Sequence, residues 1–124
     1  HSPSTTLFRS LVVILTKGDE VLSRPVTVKT RALRLALEQN HPNPFNPRTT
    51  IAFTIPSKQH VTLTVYNVAG QRVTTLVDAV LTEGYKHVIW EGVNSSGNPV
   101  GSGVYFYRLQ TSKKTLTKKM VLLR

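Results

Sequence analysis

The stretch "HVTLTVYN" (His60–Asn67) alternates without a break: Val61, Leu63 and Val65 fall on one face of an extended chain, and Thr62, Thr64 and Tyr66 on the other. Successive side chains of a strand point to opposite faces, so a period of two buries one face and wets the other. An amphipathic helix would instead repeat its apolar positions every three or four residues. Outward from this stretch the pattern recurs. Upstream, "TTIAFTI" (Thr49–Ile55) sets Ile51, Phe53 and Ile55 on one face. Downstream come "QRVTTLV" (Gln71–Val77), "YKHVIWE" (Tyr85–Glu91), "GVYFYRLQT" (Gly103–Thr111) and "TLTKKMVLL" (Thr115–Leu123). The joints carry turn chemistry. "NVAG" (Asn67–Gly70) places Gly70 where a bulged hairpin needs a left-handed residue. "NSSGNPVGSG" (Asn94–Gly103) is a longer loop, and "TSKK" (Thr111–Lys114) a tight polar turn. Six or seven short strands at this spacing predict an all-β fold, an antiparallel β-sandwich of about seven short strands. At roughly 80 residues such a domain is small for one without cross-links. Phe53, Trp90, Tyr105 and Tyr107 are therefore expected to supply much of the buried area, at ~25 cal/mol per Å² of apolar surface.

Ahead of the first of these strands the pattern breaks at "NHPNPFNPRTT" (Asn40–Thr50), where prolines and asparagines surround Phe45. Proline fixes φ and lacks a donor, so the segment is expected to be stiff and extended. Phe45 is expected to pin it to the sandwich, with Asn43 and Asn46 bonding the turn backbone. Further upstream, "LVVILT" (Leu11–Thr16), "KGDE" and "VLSRPVTVKT" (Val21–Thr30) read as strand, Gly-Asp turn, strand. Two strands do not make an independent core. Residues 11–30 are thus expected to be the last hairpin of a truncated upstream domain, 31–40 a linker, and 41–124 the sandwich. "TTLFRS" (Thr5–Ser10) resembles a translated sequencing adapter, so residues 1–10 are expected to be a non-native lead-in.

The 124-residue chain carries 16 Lys+Arg against 6 Asp+Glu, a formal charge of +10, and no acid follows Glu91. Such a balance points to nucleic acid, an anionic surface or an acidic partner. No apolar run approaches the ~20 residues of a membrane helix, so no transmembrane segment is expected. Without cysteine, a disulfide scaffold, cysteine-ligated zinc and thiol catalysis are excluded. His1, His41, His60 and His87 lie on separate segments with no metal-pair spacing, and neither a G-x-S-x-G elbow nor a glycine-rich phosphate loop occurs. No catalytic residue, metal or cofactor is expected, and the domain is expected not to be an enzyme. "EGVNSSGN" (Glu91–Asn98) offers oxygen ligands, but a single carboxylate favours a turn, with Asn94 and Asn98 on the backbone and Gly97 at positive φ, over a calcium site. In the last strand Lys118 and Met120 share one face, Lys119 and Val121 the other. A face with Arg108, Lys113 and Lys118 would attract phosphate; lysines guarding a sheet edge explain them equally. No aromatic–basic surface is patterned for nucleic acid, which is therefore not an expected partner.

The order of four segments carries a resemblance: "NHPNPFNPRTTIAFTIP", "VTLTVYNVAGQRVTTLVDAVLTEGYKHVIWEG", "NSSGNPVGSGVYFYRLQT" and the terminal "KKMVLLR". From about His41 to Arg124 the chain resembles the type A C-terminal sorting domain of the type IX secretion system. It is also similar to the Ig-like domain of flagellar hook-capping proteins, which shares the "GxVYFYRL" style of strand. The resemblance implies an Ig-like sandwich acting as an address label on exported cargo, secreted or at the cell surface via the periplasm. Its implied partners are an outer-membrane translocon and a sortase-like cysteine peptidase, with anionic lipopolysaccharide met through the cargo. By motif, the implied recognition residues are Pro42, Asn43, Pro44 and Phe45, then Asn67 and Gly70, then Gly103, Val104 and Tyr105. The terminal Lys118, Lys119, Met120, Val121, Leu122, Leu123 and Arg124 complete them, over a core of Phe53 and Trp90. Glu91 and His41 depart from the usual Asp and Tyr. Strand addition to a free last strand, or binding of its terminal carboxylate at Arg124, is the expected mode of capture, and cleavage is expected between Lys29 and Asn40. The alternatives are a structural or adhesive Ig-like module and, further off, a basic nucleic-acid binder.

Overall fold

The computed structural model describes residues 6–17 and 20–124, with side-chain surroundings from residue 32 onward. The Gly18-Asp19 turn and the first five residues of the expected lead-in lie outside the described residues. The chain divides into two units, the second running Arg34–Arg124. In the first, β1 (Thr6–Lys17) and β2 (Glu20–Arg31) form an antiparallel hairpin in continuous register from Thr6↔Arg31 to Lys17↔Glu20. The ladder takes in residues 6–10, and Pro25 lies opposite Val12.

The second unit is an antiparallel β-sandwich of Ig-like type. One sheet holds β3 (Ala36–Leu37), β4 (Thr49–Ile55) and β7 (Gly84–Trp90) in the order β3-β4-β7. The other holds β5 (Gln59–Asn67), β6 (Arg72–Leu81), β8 (Gly103–Gln110) and β9 (Thr115–Leu122) in the order β6-β5-β8-β9. The alternation of the sequence sets the inner faces. Ile51, Phe53 and Ile55 of β4, and Val61, Leu63 and Val65 of β5, are all buried. So are Tyr105, Tyr107 and Leu109 of β8 and Met120 and Leu122 of β9, which close the core around Trp90.

Ala36–Leu37, within the span expected as linker, is a strand of the sandwich: it pairs Ala36↔Thr54 and Leu37↔Phe53, and Leu37 is buried. Two apolar residues facing the open edge of β4 gain more from pairing and burial than from solvent. The proline segment is not extended. His41 and Thr50 exchange backbone bonds of 2.9 Å each way, closing the intervening residues into a loop. Phe45, at its bend, is 1% exposed. Burying that ring outweighs the segment's preference for extension.

Candidate functional site

The candidate site is a junction built on the outer edge of β9. That edge would leave a row of backbone groups unpaired. Here the proline segment covers its C-terminal half. Phe45 N–H donates to Val121 O at 3.0 Å, and Leu123 N–H donates to Phe45 O at 2.9 Å. Val121 N–H donates to Asn43 Oδ1 at 3.0 Å, and Gln39 Nε2 donates to Lys119 O at 2.7 Å. The expectation of a free last strand is therefore corrected: from Lys119 to Leu123 the edge is occupied by the chain itself. Asn43 serves the last strand rather than its own turn, because its carbonyl meets a donor otherwise lacking a partner.

The segment is in turn anchored from beneath. Asn40, 3% exposed, donates through Nδ2 to Thr49 Oγ1 at 2.9 Å and to Pro42 O at 3.1 Å. Thr49 Oγ1 donates to Pro42 O at 2.9 Å. The Tyr107 hydroxyl accepts from Asn40 N–H at 2.8 Å and donates to Glu38 O at 2.7 Å. Burial pushes the Tyr107 phenol up to about 12; the Asn40 N–H acts against this and the Glu38 charge with it. The rings of Phe45 and Trp90 lie 5.7 Å apart, and Trp90 meets Tyr105 edge-on at 5.3 Å. Trp90 Nε1 donates to Val93 O at 2.8 Å, and the Tyr105 hydroxyl to Gly101 O at 2.7 Å. Burial raises the Tyr105 phenol, opposed by the nearby Arg124 charge.

Arg124 closes the junction. Its N–H donates to Ser102 Oγ at 2.8 Å, Nε to Val100 O and Nη2 to Gly92 O, both at 2.6 Å. Gly92 has φ +68, and a Cβ there would stand 2.9 Å from Arg124 Nη2. Glycine is needed at Gly92 for its backbone conformation, and a side chain there would displace the guanidinium from Gly92 O.

Of the residues singled out by motif, the structure joins Asn43 and Phe45 to Val121 and Leu123, while Pro42 O is held by Asn40 and Thr49 and Arg124 binds the Gly92–Ser102 loop. Gly103 and Val104 pair with Leu122 and Val121. Pro44 sits exposed at the bend, beside Phe45. Met120 and Leu122 are fully buried, so they hold the core and offer nothing to a docking partner. Asn67 and Gly70 build the β5–β6 turn: Asn67 Oδ1 accepts from Ala69 and Gln71 N–H at 3.0 Å each, and Gly70 has φ 79. The sequence reading missed Gln39, Gly92, Val100 and Ser102, whose contributions are mostly backbone carbonyls or single side chains without periodicity.

The Asn94 loop is a turn: Asn94 Oδ1 accepts from Ser96 and Asn98 N–H at 3.0 Å each, and Gly97 has φ 82. Arg108 and Lys118 do not share a face. Arg108 pairs with Thr117, and Lys118 with Tyr107 of the inner face. Arg108 instead stacks over Tyr66 with 4.5 Å to the ring centroid and hydrogen-bonds its hydroxyl. Phe106 pairs with both Tyr66 and Lys119, so an aromatic–basic face does form, from strands too far apart in sequence to be read together.

Two antiparallel sheets packed around a buried tryptophan define an Ig-like domain. The model of the FlgD Ig-like domain matches residues 45–115, more than half of the chain, and the chain belongs to that family. Among solved structures the chain is similar to PorZ, described as an essential bacterial surface component of the type-IX secretion system of Porphyromonas gingivalis. The identity is 23% over 73% of this chain and 11% of that one, with a TM-score of 0.50. It is also similar to dimeric latent PorU of Porphyromonas gingivalis, at 17% identity over 82% of this chain and 11% of that one, with a TM-score of 0.59. The likeness at these identities is one of fold, and the chain spans about a ninth of either protein. No curated protein matches.

Proposed function

We propose that the Arg34–Arg124 unit is a non-catalytic sorting domain that directs an attached cargo through the type IX secretion system to the surface or the medium. The observation that carries this reading is the junction. Segments far apart in sequence, the proline loop, the Gly92–Ser102 loop and the last strand, are locked into one surface by Asn43, Phe45 and Arg124. A translocon that accepts many cargos needs such a cargo-independent, rigid feature. The Ig-like fold shared with a surface component of a type-IX system supports the same reading. The partners are then an outer-membrane translocon and a sortase-like cysteine peptidase, with anionic lipopolysaccharide reached through the cargo.

The test is a fluorescent reporter fused ahead of Arg34, with a periplasmic export signal, in a type IX-competent host. Full export is expected for the parent and a loss for Arg124→Ala, whose fold is checked by circular dichroism. Retention of a correctly folded parent fusion in the periplasm would reject the reading. It would favour the second one, a structural Ig-like module of the hook-capping type, which the family match independently supports. Deletion of residues 118–124 is uninformative, since it removes Met120 and Leu122 from the core.

A further inference from the structure

The end of the sandwich opposite the junction holds a concavity. β4 ends at Ile55 and β5 begins at Gln59, while β8 ends at Gln110 and β9 begins at Thr115. The two connecting turns face each other across a space of about 500 Å³. Leu35 and Pro56, both half-buried, supply its apolar surface. Lys58, Lys113 and Lys114 stand around it, and no acid lines it. Among the described residues the two salt bridges are Arg48–Glu91 and His60–Asp78, so none of these lysines is engaged in one. Ser57 and Ser112 add hydroxyls at the rim, and Arg34 precedes Leu35 in the chain. The Thr111–Lys114 turn is held by Thr111 N–H to Lys114 O at 2.8 Å, which fixes its two lysines on one loop.

We infer that this pocket binds an amphipathic organic anion, its apolar body against Leu35 and Pro56 and its phosphate or carboxylate head among Lys58, Lys113 and Lys114. The size suits a small ligand, and concave sites of this kind combine an apolar lining with a few convergent polar groups. Like charges crowded on two turns repel one another, and an anionic head relieves that repulsion while gaining charge-assisted hydrogen bonds. A flat lysine-guarded edge would lack the apolar floor. The site is independent of the junction and of the sorting role: neither needs the other.

The probe is phenyl phosphate, titrated into the full chain at low salt and followed by amide chemical shifts, with inorganic phosphate and phenol as separate arms. Phenyl phosphate is expected to move the amides of residues 57–59 and 111–114, and to bind about tenfold more tightly than inorganic phosphate. Phenol alone is expected to leave them unmoved. The Lys58→Ala, Lys113→Ala double variant, altered only at exposed turn positions, is expected to bind phenyl phosphate about tenfold more weakly with its spectrum otherwise intact. Equal affinity for inorganic phosphate and phenyl phosphate would show that the apolar floor is unused and overturn the inference. So would shifts spread over lysines throughout the chain, or undiminished binding by the double variant.

Discussion

Tyr107 shows how much one side chain can carry. It is fully buried, and its hydroxyl ties the chain's arrival at the sandwich, through Glu38 O and Asn40 N–H, to the central strand β8. Its phenol is held at about 12 against an ordinary 10, chiefly by burial. Because the folded state keeps the proton more tightly, the unfolded state releases it first as pH rises. The stability this contributes is full below pH 10 and is lost between about pH 10 and 12. Tyr107→Phe is expected to cost about 1–3 kcal/mol at neutral pH, because the buried Asn40 N–H is left without its partner and the Glu38 carbonyl loses a donor. It should also flatten the alkaline decline. Urea unfolding at pH 8 and pH 11 checks both; equal losses for parent and variant between those pH values would refute the role assigned to the phenol. Sequence alone placed Tyr107 in the core by alternation, yet gave no hint of its partners, since hydrogen bonds across 67 and 69 residues leave no periodic trace.

At the scale of elements, strands were legible and edges were not. The period of two located β4, β5, β8 and β9 because each has one buried face. β3 escaped because two residues show no period. The proline loop was recognised as a boundary, and Phe45 as its anchor, since a lone aromatic among prolines has few other uses. Its path was not readable: the covering of β9 depends on which backbone groups the finished sheet leaves unpaired, a property of the topology. Phe45→Ala tests the loop as a unit. Removing the ring from its place against Trp90 is expected to cost about 3–5 kcal/mol. That is a large share of the ~5–15 kcal/mol of a typical domain. Hydrogen exchange should show Val121 and Leu123 N–H losing protection before the β5–β8 amides. If all these amides lose protection together, the loop is not a separable cover on the edge.

For the whole molecule the decisive question is where the sandwich begins. Composition put the boundary at the prolines, because stiff polar segments commonly separate domains. Burial puts it earlier: Leu37 and Asn40 are buried, and residues 38 and 41 already bond to β4. Residues 32–35 carry no strand, and Arg34 is exposed. Proteolysis concentrates in exposed, unpaired chain, which paired and buried backbone does not offer. The span expected for cleavage therefore narrows to the residues ahead of Ala36. Brief trypsin treatment of the full chain is expected to cut first after Arg34, which is exposed and unpaired. The fragment ending at Arg124 should then resist further digestion and keep its β-sheet circular dichroism. The exposed lysines Lys58, Lys113 and Lys114 sit in short turns whose flanking strands are paired, so they should be cut far more slowly. A first cut at any of these three, or loss of β signal once the upstream residues are gone, would mean that Arg34–Arg124 is not an autonomous unit. A sorting domain that must fold behind any cargo has to be autonomous.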